Sequence, residues 1–204
     1  MLTLYYAKGT AALAAHIVLE EAKADYKAQL IDFSKMEQQS PEYLATNPKG
    51  RVPTLKTPQG LLTETPAILA YIAQTHPNVN LAPKDPFEFA TAQAFNIYLA
   101  ATVHVAHAHK MRGHRWSDDP DAHKSMTAKV TGNMAECARM IEVHYFKGPW
   151  VLGNTYSICD PYLFTVSQWM TADGVNLDEF PIIKEHSEAM KKRAAVQRVM
   201  ELHE

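Results

Sequence analysis

One break constrains this chain of 204 residues more than anything else in it. Residues 76–86 hold three prolines and two asparagines and carry no hydrophobic period. Neither a helix nor a strand runs through such a stretch, which reads as a linker. Before it, short β-prone runs alternate with helical ones. After it, the pattern is helical almost throughout. A chain organised this way folds as a small α/β domain followed by an all-α domain. The expected division is 1–78, a linker at 79–86, and 87–204.

The first part reads βαβαββα. Leu2-Thr3-Leu4-Tyr5-Tyr6 is β-prone and stops at Lys8-Gly9. Thr10 stands where it caps an alanine-rich helix over 11–23. Residues 26–33 give a second strand. Ser40-Pro41-Glu42 starts a helix, with a capping residue, proline at the first helical position and then an acid. Residues 52–56 and Leu61-Leu62 flank Pro58-Gln59-Gly60, a hairpin turn. Thr65-Pro66 opens a helix in which Ile68, Leu69, Tyr71 and Ile72 recur at helical spacing. If the first two strands are parallel and the last two antiparallel, the sheet is mixed. In the second part, long helices are expected over 87–111 and 121–145, the latter ended by Gly148-Pro149. Ser157-Ile158-Cys159-Asp160 has the form of a capping box and opens an apolar helix over 161–170. One or two polar helices follow Pro181.

Composition excludes several classes of function. Apolar residues make up 47% and charged residues 21%, so the chain is globular rather than disordered. A net charge of −2 leaves no electrostatic footprint for nucleic acid or an acidic membrane surface. No apolar run approaches the ~18 residues of a membrane span, and the N-terminus lacks a signal peptide's pattern. Two cysteines, Cys137 and Cys159, make no disulfide framework and fit a reducing cytoplasm. There is no zinc-ligand spacing, no Walker loop and no GxGxxG.

Four motifs then stand in order: L-Y-Y-A-K-G followed by H-I-V-L-E-E; N-P-K-G-R-V-P-T-L; L-T-E-T-P-A-I; and S-I-C-D-P-Y-L-F-T-V-S-Q-W. Together they resemble the cytosolic glutathione transferases, close to the bacterial beta class, over nearly the whole chain. The resemblance implies a thioredoxin-like domain joined to a helical bundle and a homodimer. It also implies glutathione as co-substrate, with no metal. One departure matters. The beta class carries a cysteine at the mouth of the first helix, and the matching position here is Ala11. Without a thiol in the first domain, mixed-disulfide chemistry and a glutaredoxin-like role are disfavoured.

A transferase of this kind must hold glutathione and ionise its thiol. The N-terminus of the first helix offers unpaired N–H groups and partial positive charge. Thr10 stands where its hydroxyl donates to a thiolate, or only caps the helix; Tyr6 is the rival donor, or only packs its ring. The resemblance implies that the Val52 backbone, before a cis Pro53, pairs with the cysteinyl part of glutathione. Glu64 suits the γ-glutamyl ammonium, and Thr65, at a helix start, suits the neighbouring carboxylate. Lys35 is the expected partner of the glycyl carboxylate, with Lys49 as a substitute.

His104, His107, His109 and His114 crowd the end of the first long helix. The family comparison singles out His104, nine residues after Phe95, where the beta class has tryptophan. The class's asparagine is replaced by Ile97, with Asn96 one position off. A metal site there lacks carboxylates and is not expected. Ala7, Lys8, His107, Met111 and Trp116 are expected to line a second-substrate pocket, with Arg112 or Arg115 near an anionic group. Ser157 and Asp160 are assigned to folding, and Cys159 to an inert core position. The expected activity is conjugation of glutathione to small, largely apolar electrophiles. The alternatives are a glutathione- or ligand-binding protein without turnover, or a specialised dehalogenase, ether-cleaving enzyme or isomerase.

Overall fold

The computed structural model describes residues 1–203. They form two units: residues 1–89 together with 191–203, and residues 90–190.

The first unit is built on a four-stranded sheet of order β2-β1-β3-β4. β1 (Leu2–Tyr6) runs parallel to β2 (Tyr26–Leu30), with α1 (Ala12–Glu21) as the crossover. β3 (Thr54–Thr57) lies antiparallel to β1, and β4 (Gly60–Thr63) antiparallel to β3. The mixed sheet expected from the sequence is present. Thr57 pairs with Gly60, which closes the hairpin over Pro58 and Gln59. α2 (Pro41–Thr46) starts as expected, with Ser40 Oγ accepting the Tyr43 N–H at 3.1 Å. α3 (Thr65–Thr75) follows β4. Every residue from Ala12 to Leu19 of α1 is buried, because α3, β1 and a last helix pack on it from several sides.

That last helix, α9, was expected with the helical part of the chain and instead belongs to the first unit. Spanning Ala194–His203, it buries Ala195, Val196 and Val199 and packs on α1. Arg193 forks onto Glu21 at 2.6 and 3.0 Å, and Arg198 reaches Glu20 at 3.1 Å. An amphipathic stripe shows that a helix is packed, not what it is packed against.

The second unit is helical. α4 (Pro86–Tyr98) passes through a π-helical turn, Leu99–Val103, into α5 (His104–Ala108). α6 (Pro120–Met140) ends in another π-helical turn, Ile141–Tyr145. The two long helices of the sequence reading are therefore present as continuous helical runs over 86–108 and 120–145, each containing a π-helical turn. α7 (Cys159–Ala172) is buried along nearly its whole length and forms the centre of this unit, and α8 (Pro181–Lys191) follows. Ahead of α7, the fully buried Asp160 carboxylate accepts the Val151 N–H at 2.9 Å and the Ser157 N–H at 2.7 Å. It also meets the Ser157 hydroxyl at 3.2 Å and His186 Nε2 at 3.1 Å. The capping box is thus a buried lock between three segments. Cys159 is fully buried, and burial pushes its thiol well above the usual range.

Candidate active site

Strand register gathers the candidate residues of the first unit. Tyr5 pairs with Thr54, Thr54 with Thr63, and Tyr6 with Leu30. Four connections therefore leave or enter the same end of the sheet: 7–11 after β1, 31–37 after β2, 51–53 before β3, and 64 after β4. The N-termini of α1 and α3 open at this end, where backbone N–H groups lack intrahelical acceptors.

The first connection carries Thr10. Its hydroxyl donates to the Ala7 carbonyl at 2.7 Å and accepts the Ala12 N–H at 3.3 Å, while the Leu13 N–H reaches the Thr10 carbonyl at 3.1 Å. The residue at the cap position is Ala11, one later than expected, and it has no side chain able to cap. Among the described residues nothing accepts from the Ala11 N–H. Ala7 and Ala11 are buried and Lys8 is exposed. Tyr6 is also buried. Its ring lies against His16 and His203, with centroids 5.1 and 4.9 Å away.

The second connection carries Lys35, which is exposed and pairs with Asp32 at 3.1 Å. Bonds from Ser34 and the Lys35 ammonium hold the Asp32 carboxyl down to about 2.

In the third connection the Val52–Pro53 peptide is cis, as the resemblance implied, and β3 begins only at Thr54. Neighbours that the sequence reading did not single out fix this segment. Tyr43 donates to the Arg51 carbonyl at 2.7 Å, and Asn47 Nδ2 reaches the same carbonyl at 2.8 Å and Thr54 Oγ1 at 2.9 Å. Gly50 has φ +60°, and a Cβ there would stand 2.6 Å from Gln39 Nε2 and 2.9 Å from the Gln38 carbonyl. The signal was present in N-P-K-G: an asparagine able to bond its own loop, and a glycine where only glycine fits.

The fourth connection is a single residue. Glu64 has φ 69° and ψ 117°, a conformation costly for a residue with a Cβ. It occupies the cap position expected of Thr65, and Thr65 is instead the buried first residue of α3. The Glu64 side chain is 69% exposed and pairs with Lys49 at 2.6 Å, while the same ammonium bonds Thr63 Oγ1 at 2.8 Å. Lys49 is therefore engaged with Glu64.

The second unit holds the histidine group. His104 and His107 each lie 4.8 Å from the Trp169 ring, and His107 is stacked on it at 12°. His107 Nδ1 meets the fully buried Asp173 carboxylate at 2.7 Å, and Lys110 stands 3.3 Å from its other oxygen. Asp173 was missed. It sits at the C-terminal end of α7, where a negative charge opposes the helix dipole, and that misfit was legible in the sequence. Trp116 stacks on His109 at 4.2 Å, and Met111 is 81% exposed. Among the described residues no group of three His, Cys, Asp or Glu side chains is arranged to hold a metal ion.

Residues 1–74 match the family described as glutathione S-transferase, N-terminal domain. Over 198 residues the chain is 31% identical to the glutathione S-transferase GstA of Escherichia coli O157:H7, covering 95% of this chain and 94% of that protein. The chain belongs to the glutathione S-transferase family. This transferase-family chain has the fold expected of it, a thioredoxin-like sheet unit and a helical unit. Its structure is similar to that of a glutathione transferase homolog from Sulfitobacter with bound glutathione. The TM-score is 0.96 and the identity 45%, over 99% of this chain and 98% of that one. It is also similar to a sphingomonad glutathione S-transferase complexed with glutathione, with a TM-score of 0.86 and 25% identity over 98% of each chain. A maleylacetoacetate isomerase of Pseudomonas aeruginosa is 27% identical over 88% of this chain and 85% of its own length. No helix among the described residues is long and apolar enough to cross a membrane.

Proposed function

We propose that this chain is a glutathione transferase that holds glutathione across the end of its four-stranded sheet and joins its sulfur to a small, largely apolar electrophile. The observation that carries this reading is the 45% identity, over 99% of the chain, to a structure holding glutathione. The sheet end suits such a ligand. A carboxylate and an ammonium side by side need an anion and a donor-rich helix terminus side by side. Glu64, exposed at the start of α3, and the N–H groups and hydroxyl of Thr65 supply both. The Val52 backbone, outside the β3 ladder, serves the cysteinyl peptide beside Pro53. Lys35 serves the glycyl carboxylate; Lys49 orients Glu64 instead.

A free thiol has a pKa around 8.5, so thiolate is the minor form at neutral pH. The N-terminus of α1 lowers it. The Ala12 and Leu13 N–H groups are occupied within the loop, whereas that of Ala11 is not. Thr10 contributes its hydroxyl once the proton turns from the Ala7 carbonyl toward sulfur, and Tyr6 is the rival donor. With alanine at position 11, the sulfur attacks the electrophile directly, with no mixed disulfide on the enzyme. Catalysis comes from thiol ionisation and proximity. His104, His107, Met111 and Trp116 of the helical unit are candidates for contact with the electrophile. The protein works as a homodimer in the cytoplasm.

Similarity to maleylacetoacetate isomerases favours a second reading, in which glutathione adds, a bond rotates and glutathione leaves unchanged. Calorimetry with glutathione, ultraviolet titration of the bound thiol, and turnover of an aryl halide and of a cis-enone diacid test both readings. Binding with a lowered thiol pKa and thioether formation is expected. Turnover of the enone alone favours the isomerase, and binding with an unshifted thiol and no turnover refutes both.

A further inference from the structure

His16 is fully buried in the middle of α1, and its Nδ1 lies 3.1 Å from His203 Nε2 on the last turn of α9. The Tyr6 ring rests against both, and Tyr26 of β2 meets His16 edge-on at 5.6 Å. A hydrogen bond between two imidazoles needs one nitrogen that donates and one that accepts. The outer nitrogens, His16 Nε2 and His203 Nδ1, are buried and have no partner among the described residues. If His16 donates, the N–H of His203 Nδ1 is stranded; if His203 donates, the N–H of His16 Nε2 is stranded. Either tautomer leaves a buried donor unsatisfied, which is unfavourable. A pair used only for packing would be better replaced by apolar side chains.

We propose that His16 and His203 form a proton-sensitive latch that docks α9 on Tyr6 and so positions the 7–11 connection that activates the thiol. The role of that connection rests on the transferase reading; the latch itself does not. Tyr6 is the last residue of β1 and the root of the connection bearing Ala7, Thr10 and Ala11. An added proton on either imidazole places positive charge in a buried site with no further acceptor among the described residues, and once both rings are protonated two N–H groups face each other, so the rings separate. Burial pushes both imidazoles down to about 4, His203 being lowered further by His16 and Lys8. Both folded values lie below the ordinary value of about 6.5. Docking free energy is therefore fully present above about pH 6.5 and is lost as pH falls toward 4. The other charged and titratable groups around the pair are Glu20, bonded to Tyr26 at 2.6 Å and Arg198 at 3.1 Å; Glu21, paired with Arg193; Lys8; and Tyr6.

The test follows amide exchange of α9 in the full-length protein, corrected for intrinsic rates, between pH 7 and pH 4.5. Protection in α9 is expected to fall over this range in the wild type. It is expected to fall far less in His203→Gln, which keeps an amide donor for His16 but cannot titrate; the Glu20 and Glu21 pairs account for what remains. His203→Ala, at neutral pH, is expected to loosen α9 and raise the pKa of bound glutathione by about one unit, a tenfold loss of thiolate. His203→Gln should restore most of it. Unchanged wild-type protection across the pH range overturns the latch, as does equal damage from His203→Gln and His203→Ala. If His203→Ala does not fold, the wild-type and His203→Gln exchange profiles decide alone. Absence of glutathione binding in the wild type refutes the transferase reading and leaves the exchange result standing.

Discussion

Replacing Asp160 by alanine removes the acceptor that joins three segments of the helical unit. Two backbone donors lose their partner, Val151 N–H at 2.9 Å and Ser157 N–H at 2.7 Å, and neither can turn elsewhere. The Ser157 hydroxyl can rotate and recovers in part, whereas the other nitrogen of His186 is buried with no partner among the described residues, so moving the proton there recovers nothing. Each stranded buried donor costs about 1–3 kcal/mol. A helix cap alone is worth about 0.5–2 kcal/mol, whereas breaking a buried charged network costs about 3–5 kcal/mol. Because Asp160 is fully buried, Asp160→Ala is expected near the second range, about 3–5 kcal/mol. For a chain this long, each kcal/mol shifts Tm by roughly 2–4 °C, so a drop of about 10 °C follows. Urea unfolding with unchanged m-value measures the free energy, and exchange at Val151 and Ser157 locates the loss. Asp160→Asn should fall between, since its NH2 faces one of the backbone donors. A folded Asp160→Ala variant within about 1 kcal/mol of wild type refutes the reasoning, because buried N–H groups cannot then be stranded.

Glu64→Gln keeps shape but leaves the ligand ammonium without an anion, and calorimetry should show glutathione weakened by about 1.5–3 kcal/mol, with the fold intact. Thr10→Val should cost about 1 kcal/mol in stability, through the lost Ala12 contact, and raise the bound-thiol pKa by about one unit; Tyr6→Phe is the control, and a rise in Tyr6→Phe alone reverses the assignment. Gly50→Ala places a Cβ against Gln39 and the Gln38 backbone at positive φ, so about 1–3 kcal/mol of stability should be lost, together with glutathione affinity through the adjoining Val52 segment. Melting curves and calorimetry on the same preparation check both effects.

Local chemistry was legible in the chain before any packing was known. The proline-rich break at 76–86, the Ser40-Pro41 helix start and the hairpin over Pro58-Gln59 all rest on neighbours close in sequence, whereas the residues of the sheet-end connections came from the resemblance to a family. The β-prone run that becomes β1 is likewise local, although its buried face of Leu2, Leu4 and Tyr6 was seen only in the structure. Tertiary structure decided the rest, because it depends on which distant groups share a buried space. It set α9 against α1, through an arginine fork and a histidine pair far apart in the chain. It turned the Thr10 proton toward Ala7 and joined Lys49 to Glu64. It brought Asp173 under His107, and it made Asp160 a junction rather than a cap alone. A sequence states how each residue prefers to fold and which face it must hide. Only the closed fold settles which hidden charges, protons and rings find one another.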